Sequence, residues 1–158
     1  MNTNKKIEAR RLELGLSENQ LARAIGMNLD SYCDIEWHAD ELFTAVELRR
    51  IKKLAETLGI ESFELLSLQC PFCGNETAYI EEYRLPRNEL IRTMRQKMGI
   101  SQQELGHRSD FHDYAIEGME RDPDYLERST VDSIMDLVKA LKIPFQILSA
   151  TKCLKCSR

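Results

Sequence analysis

No stretch of this 158-residue chain stays apolar over the roughly 18 residues that a membrane span requires. Met1-Asn2-Thr3-Asn4-Lys5-Lys6 leads into an amphipathic pattern rather than the apolar core of a signal peptide, so the cytoplasm is the expected compartment. There is no HExxH, no glycine-rich phosphate loop and no nucleophile set beside a base, and an enzyme is not expected. His38, His107 and His112 stand at no spacing that would pair them as metal ligands. An excess of positive charge is also missing. Lys and Arg number 22 against 26 Asp and Glu, for a net charge of −4, which excludes a surface that attracts phosphate everywhere. Any nucleic-acid contact has to be local. The five cysteines are an odd number in a chain read as intracellular, which argues against a disulfide framework.

What is present is enough apolar material to fold, 42% hydrophobic residues beside 30% charged. Length alone allows one ordinary domain or two small ones. An internal repeat decides between them. Leu12-Glu13-Leu14-Gly15-Leu16-Ser17-Glu18-Asn19-Gln20-Leu21 matches Gln96-Lys97-Met98-Gly99-Ile100-Ser101-Gln102-Gln103-Glu104-Leu105 at a shift of 84 residues. The same shift carries Arg11 to Arg95 and Ile35-Glu36 to Met119-Glu120. Leu58-Gly59-Ile60 matches Leu141-Lys142-Ile143 at a shift of 83, so the second copy has lost one residue.

Apolar spacing and cap residues predict five helices per copy. In the first they run near 5–14, 17–25, 29–35, 45–58 and 62–68. Ser17 with Gln20 and Ser101 with Glu104 have the form of capping boxes, and Gly15 and Gly99 stand where a preceding helix needs a residue of positive φ. Pro86 suits the first helical position of the second copy, Ser129 or Thr130 caps its fourth helix, and its last helix starts near Pro144. The turn between second and third helices holds Gly26 in one copy and Asp110 in the other, both tolerant of the left-handed conformation. The expected organisation is all-α: a first domain over 1–69, a linker over 70–84, a second domain over 85–150 and a tail over 151–158.

Arg11, Gly15-Leu16-Ser17, Leu21-Ala22, Gly26 and Ile35-Glu36 together resemble the lambda-repressor, Cro and XRE family of helix-turn-helix domains. The second copy shows Arg95, Gly99-Ile100-Ser101, Leu105 and Met119-Glu120, but departs from the pattern with Gly106 where Ala is usual and Asp110 at the turn. The resemblance implies two five-helix domains, a structural pair of Arg11 with Glu36 and of Arg95 with Glu120, and a third helix that lies in the major groove of DNA. It also implies a backbone contact from Gln102, a position held by Glu18 in the first copy.

The residues themselves leave two functions open. DNA readout relies on Arg, Lys, Asn and Gln, and phosphate contacts demand cations. The outward positions are Asn28, Leu29, Asp30, Ser31, Asp34 and Trp37 in the first copy and His112, Asp113, Tyr114, Glu117 and Gly118 in the second. Basic residues are found elsewhere: Lys5, Lys6, Arg10, Arg11, Arg49, Arg50, Lys52, Lys53, Arg84, Arg87, Arg92, Arg95 and Lys97, where a solvated helix face is the simpler reading. One function is a DNA-associated transcriptional regulator, binding through the second copy or as a homodimer. The other is a pair of modified domains that bind a basic protein as antitoxin, immunity protein or adaptor, since Tyr32, Trp37, Phe43, Phe111 and Tyr114 lie among carboxylates. Burial in the core is the simpler reading of Tyr32 and Phe111.

Four cysteines form two pairs, Cys70-Pro71-Phe72-Cys73-Gly74 and Cys153-Leu154-Lys155-Cys156, one after each copy. Two C-x-x-C pairs can supply the four thiolates of a structural zinc site, and Cys-Pro-x-Cys-Gly resembles a zinc knuckle with Gly74 at the tight turn. Such a site would tie the linker to the C-terminus and fix one domain against the other. Redox chemistry at Cys70 and Cys73 lacks the accompanying βαβ pattern. Free thiols, or zinc shared between chains, remain the other options. Cys33 reads as a small buried or semi-exposed thiol.

Overall fold

The computed structural model describes residues 2–73, 79–151, 153, 155 and 156, and among them it shows eleven α-helices and no β-strand. The chain divides into two compact units, Met1–Gln69 and Cys70–Arg158. Segments 70–84 and 151–158, expected as linker and tail, therefore both belong to the second unit.

The first unit contains α1 (Thr3–Glu13), α2 (Glu18–Ala24), α3 (Leu29–Trp37), α4 (Glu41–Thr44), α5 (Leu48–Leu58) and α6 (Ser62–Leu65). Gly15, at φ 66°, ends the α1 turn, and Ser17 then opens α2 with a complete capping box: its hydroxyl accepts from Gln20 N and its own N–H donates to the Gln20 side chain. Gly26, at φ 70°, turns the chain toward α3, where the Asn28 side chain accepts from Ser31 N. Ile7, Leu21, Ile35, Ile51, Leu54 and Leu58 are fully buried and form the core that these helices share. The elements differ from the sequence expectation in three main places. The short helix α4 was not foreseen, α5 begins at Leu48 rather than at Ala45, because Glu47 is extended (φ −65°, ψ 142°) and stands outside the helix as its cap, and α6 ends at Leu65 rather than at Leu68.

The second unit contains α7 (Arg87–Lys97), α8 (Gln102–Arg108), α9 (Asp113–Arg121), α10 (Val131–Leu141) and α11 (Phe145–Ser149), with 3₁₀ turns at Glu81–Arg84 and Tyr125–Arg128. Its core is Leu90, Ile91, Leu105, Ile116, Ile134, Leu137 and Leu148. Pro86 (φ −53°, ψ 145°) proves to be the cap before α7 rather than its first helical residue. The Ser101 hydroxyl accepts from Glu104 N, but the Glu104 carboxylate accepts from Arg108 Nε, so half of the expected second capping box is diverted into an ion pair.

The repeat recurs in backbone geometry. Met27 N donates to Ala22 O at 2.9 Å and Phe111 N to Gly106 O at the same distance, closing equivalent turns. Asp110 takes φ 55° where Gly26 takes 70°, and Lys142 takes φ 55° where Gly59 takes 64°. The glycine that replaces alanine in the second copy has a steric reason: a Cβ on Gly106 would stand 2.5 Å from the Phe111 carbonyl oxygen. Gly118, expected among the outward positions, is instead packed under Tyr125, whose Cε2 would lie 2.7 Å from a Cβ there.

Candidate metal centre and third-helix surfaces

The second unit brings Cys70, Cys73, Cys153 and Cys156 together, with all four sulfurs within 4.8 Å of one another. Cys70 Sγ lies 3.5 Å from Cys156 Sγ, and Cys73 Sγ lies 3.6 Å from Cys153 Sγ. A disulfide would close these gaps to about 2.05 Å, and none of the four is in a disulfide. Metal–thiolate bonds of about 2.3 Å in a tetrahedron place sulfurs about 3.8 Å apart. The observed spacings are compatible with a metal ion at the centre of the four.

The surroundings hold the first C-x-x-C loop in place. Phe72, between its two cysteines, is 1% exposed and meets the Tyr79 ring edge-on at 5.2 Å, while Tyr79 and Tyr83 make a second edge contact at 5.6 Å. Gln146, from α11, donates its side-chain N–H to Cys70 Sγ at 3.3 Å. Burial works to raise the Cys70 thiol, but the hydrogen bonds from Gln146 and the Phe72 backbone prevail and bring it down to about 6. Hydrogen bonding with Cys153, followed by desolvation, pushes Cys73 up to about 12. Four thiolates this close together would need a cation among them to be ionised at once.

All four cysteines belong to Cys70–Arg158, so the cluster brings the beginning of the second unit next to its end. Gly74 and Leu154 of the two pairs lie outside the described residues. Cys33, in the first unit, is a buried free thiol, raised by its burial and then by Glu18.

Each unit carries an internal Arg–Glu brace. Arg11 Nε and Nη2 donate to the two Glu36 oxygens at 2.6 and 2.8 Å, Nη1 donates to Leu16 O, and the Tyr32 hydroxyl donates to Glu36 as well. Arg95 Nε and Nη2 donate to Glu120 at 2.5 and 3.0 Å, and Nη1 donates to Ile100 O. Gln102, expected to contact a DNA backbone, turns inward and donates to Glu120 Oε2 at 2.9 Å. That buried carboxylate is already paired, so the amide completes its hydrogen bonding instead of projecting outward.

No family model, curated protein or solved structure matches the chain.

The outward faces of the third helices are acidic and aromatic. On α3, Asn28, Leu29, Asp30 and Trp37 are exposed and Ser31 and Asp34 half-buried, with the Asn28 side-chain oxygen occupied by the cap on Ser31. On α9, His112, Asp113 and Tyr114 are exposed, and the His112 and Tyr114 rings stack at 5.2 Å. Half-buried Glu117 is paired with Arg121 at 2.5 Å. Of the two aromatics expected in the core, Tyr32 is fully buried whereas Phe111 is only half-buried, as is Phe43.

The basic residues are largely compensated. In the first unit Lys5, Arg10, Arg49, Arg50 and Lys53 pair with Glu8, Glu13, Glu47 and Glu56. In the second, Arg84 pairs with Glu81, Arg87 with Glu127, Arg92 with Glu120 and Lys97 with Glu82. A groove lined by free cations is not what these pairs make. Sequence reasoning missed Gln146 and the Phe72–Tyr79–Tyr83 cluster. Phe72 carried a signal, a large apolar side chain inside a C-x-x-C loop, whereas Gln146 carried none.

Proposed function

We propose that this chain is a regulatory protein made of two lambda-repressor-like helix-turn-helix units, DNA-associated, with the second unit held closed by a structural zinc ion on Cys70, Cys73, Cys153 and Cys156. The observation that carries the fold reading is the recurrence, in both units, of one local design. A serine-capped helix, a left-handed turn residue and a third helix braced by Arg–Glu appear at Ser17, Gly26 and Arg11–Glu36 and again at Ser101, Asp110 and Arg95–Glu120. Zinc is favoured over other ions because four thiolates form a soft, tetrahedral donor set and leave no open position for a substrate. Bound there, zinc joins the start of the second unit to its end. Phe72 and Gln146 position the first pair of thiolates, and no catalytic step is assigned to any of these residues.

DNA association is tested by a mobility shift on DNA from the protein's own locus, titrated with salt. The expected result is a shift at low salt that weakens steeply as salt rises. No shift at low salt, together with a stoichiometric protein partner encoded by the adjacent gene, would replace DNA by protein as the ligand. A specific observation favours that second reading of an antitoxin, immunity or adaptor role: Asp30, Asp34 and Asp113 face outward beside Trp37 and Tyr114.

A further inference from the structure

On α3, Asp30, Asp34 and Trp37 stand at i, i+4 and i+7, which places them in one line along a single helix face. Trp37 is 67% exposed and Leu29, at the start of the same helix, 41%. Among the described residues neither the Asp30 nor the Asp34 carboxylate forms an ion pair or accepts a hydrogen bond. In the sequence three further acidic residues flank this helix, Glu18 before it and Asp40 and Glu41 after it. From Glu18 to Glu41 the only Lys or Arg is Arg23.

The second unit shows that the fold does not need this arrangement. At the repeat shift of 84, Asp30 becomes Tyr114, Asp34 becomes Gly118 and Trp37 becomes Arg121, yet the helix, its turn and its brace are rebuilt. A large aromatic left in water, lined up with two uncompensated carboxylates and not required for folding, is a recognition surface in its chemistry. Its charge repels a phosphate backbone and complements a cation. An arginine guanidinium can lie on the Trp37 ring while its neighbours pair with Asp30 and Asp34.

We propose that this face of α3 docks an arginine-bearing cationic segment of a partner protein. The proposal deepens the protein-binding reading above and is independent of whether the chain also touches DNA. Trp37 is the sole tryptophan, so its fluorescence reports from the site itself. The test titrates the full-length protein with an unstructured peptide of alternating arginine and glycine at moderate salt. The expected result is a saturable change in Trp37 emission, weakened about fivefold or more in the double variant Asp30→Asn, Asp34→Asn, or partly in Asp30→Asn alone. The control Glu13→Gln, Glu56→Gln removes the same charge at exposed sites on α1 and α5 and should weaken binding less than twofold. Far-UV circular dichroism verifies that each variant is folded.

No saturable change up to millimolar peptide, or equal weakening in both double variants, overturns the proposal. A Trp37 response to duplex DNA that strengthens when the aspartates are neutralised overturns it in favour of a nucleic-acid face. A response that follows protein concentration without peptide overturns it in favour of a second copy of the chain. The mobility shift can fail while this titration succeeds, and the reverse, so the two readings fall separately.

Discussion

Replacing Glu36 by glutamine keeps the shape of the side chain and removes its charge. Arg11 is left with an 8% exposed side chain and its carboxylate partner, itself 2% exposed, gone. Breaking a buried pair from one side costs about 3–5 kcal/mol. Glutamine can still accept one hydrogen bond, which points to the lower end, about 3 kcal/mol. A unit the size of Met1–Gln69 has a total stability on the order of 3–10 kcal/mol. The variant should therefore be folded only marginally. With a urea slope of about 1 kcal/mol per molar for so small a unit, the midpoint should fall by about 3 M.

Trp37, next in sequence to Glu36, reports this transition by fluorescence. The charge also has a pH signature. Burial works to raise the Glu36 carboxyl, but hydrogen bonds from Arg11 and Tyr32 outweigh it and hold it below its ordinary value. A carboxyl depressed by folding contributes its full stabilisation above its unfolded value of about 4.3 and loses it as pH falls through the folded one. Wild-type midpoints should drop on that acid limb, and Glu36→Gln should remove this group's share of the drop. A midpoint shift under about 1 M at neutral pH, with an unaltered acid limb, would refute the view that this pair braces α3 against α1.

Two further substitutions test the repeat. Gly106→Ala should destabilise the second unit by about 1–2 kcal/mol, because the Phe111 carbonyl has to move away from the new methyl group and the gain in helix propensity offsets only part of that; circular dichroism during urea unfolding measures it. Lys142→Gly, which puts into the second copy the residue that the first copy uses at the end of α5, should stabilise by about 1 kcal/mol by relieving a left-handed side chain.

Local features of the fold were legible because their causes are local. Ser17, Gly26, Asp110 and the glycines after α1 and α7 set caps and left-handed turns through their own backbone and side-chain chemistry, and the repeat shift carried each to its counterpart. The four cysteines were legible as candidate ligands by type and spacing. Where they act was not: the first pair looked like linker, and its place in the second unit depends on Phe72, Tyr79 and Tyr83 packing together and on Gln146 reaching Cys70 from 76 residues away. The same limit hid the fate of Gln102, whose inward turn follows from the buried Glu120 it completes. The helix α4 was missed because four residues present no full hydrophobic period to read.

The most direct test of the central site is the zinc content of the purified, reduced protein by plasma mass spectrometry, beside that of a Cys73→Ser, Cys156→Ser variant. One zinc per chain, lost in the variant, is the predicted result. Wild-type protein purified with zinc present and carrying less than about a tenth of an equivalent, or a variant that keeps its zinc, would contradict a metal held by these four thiolates.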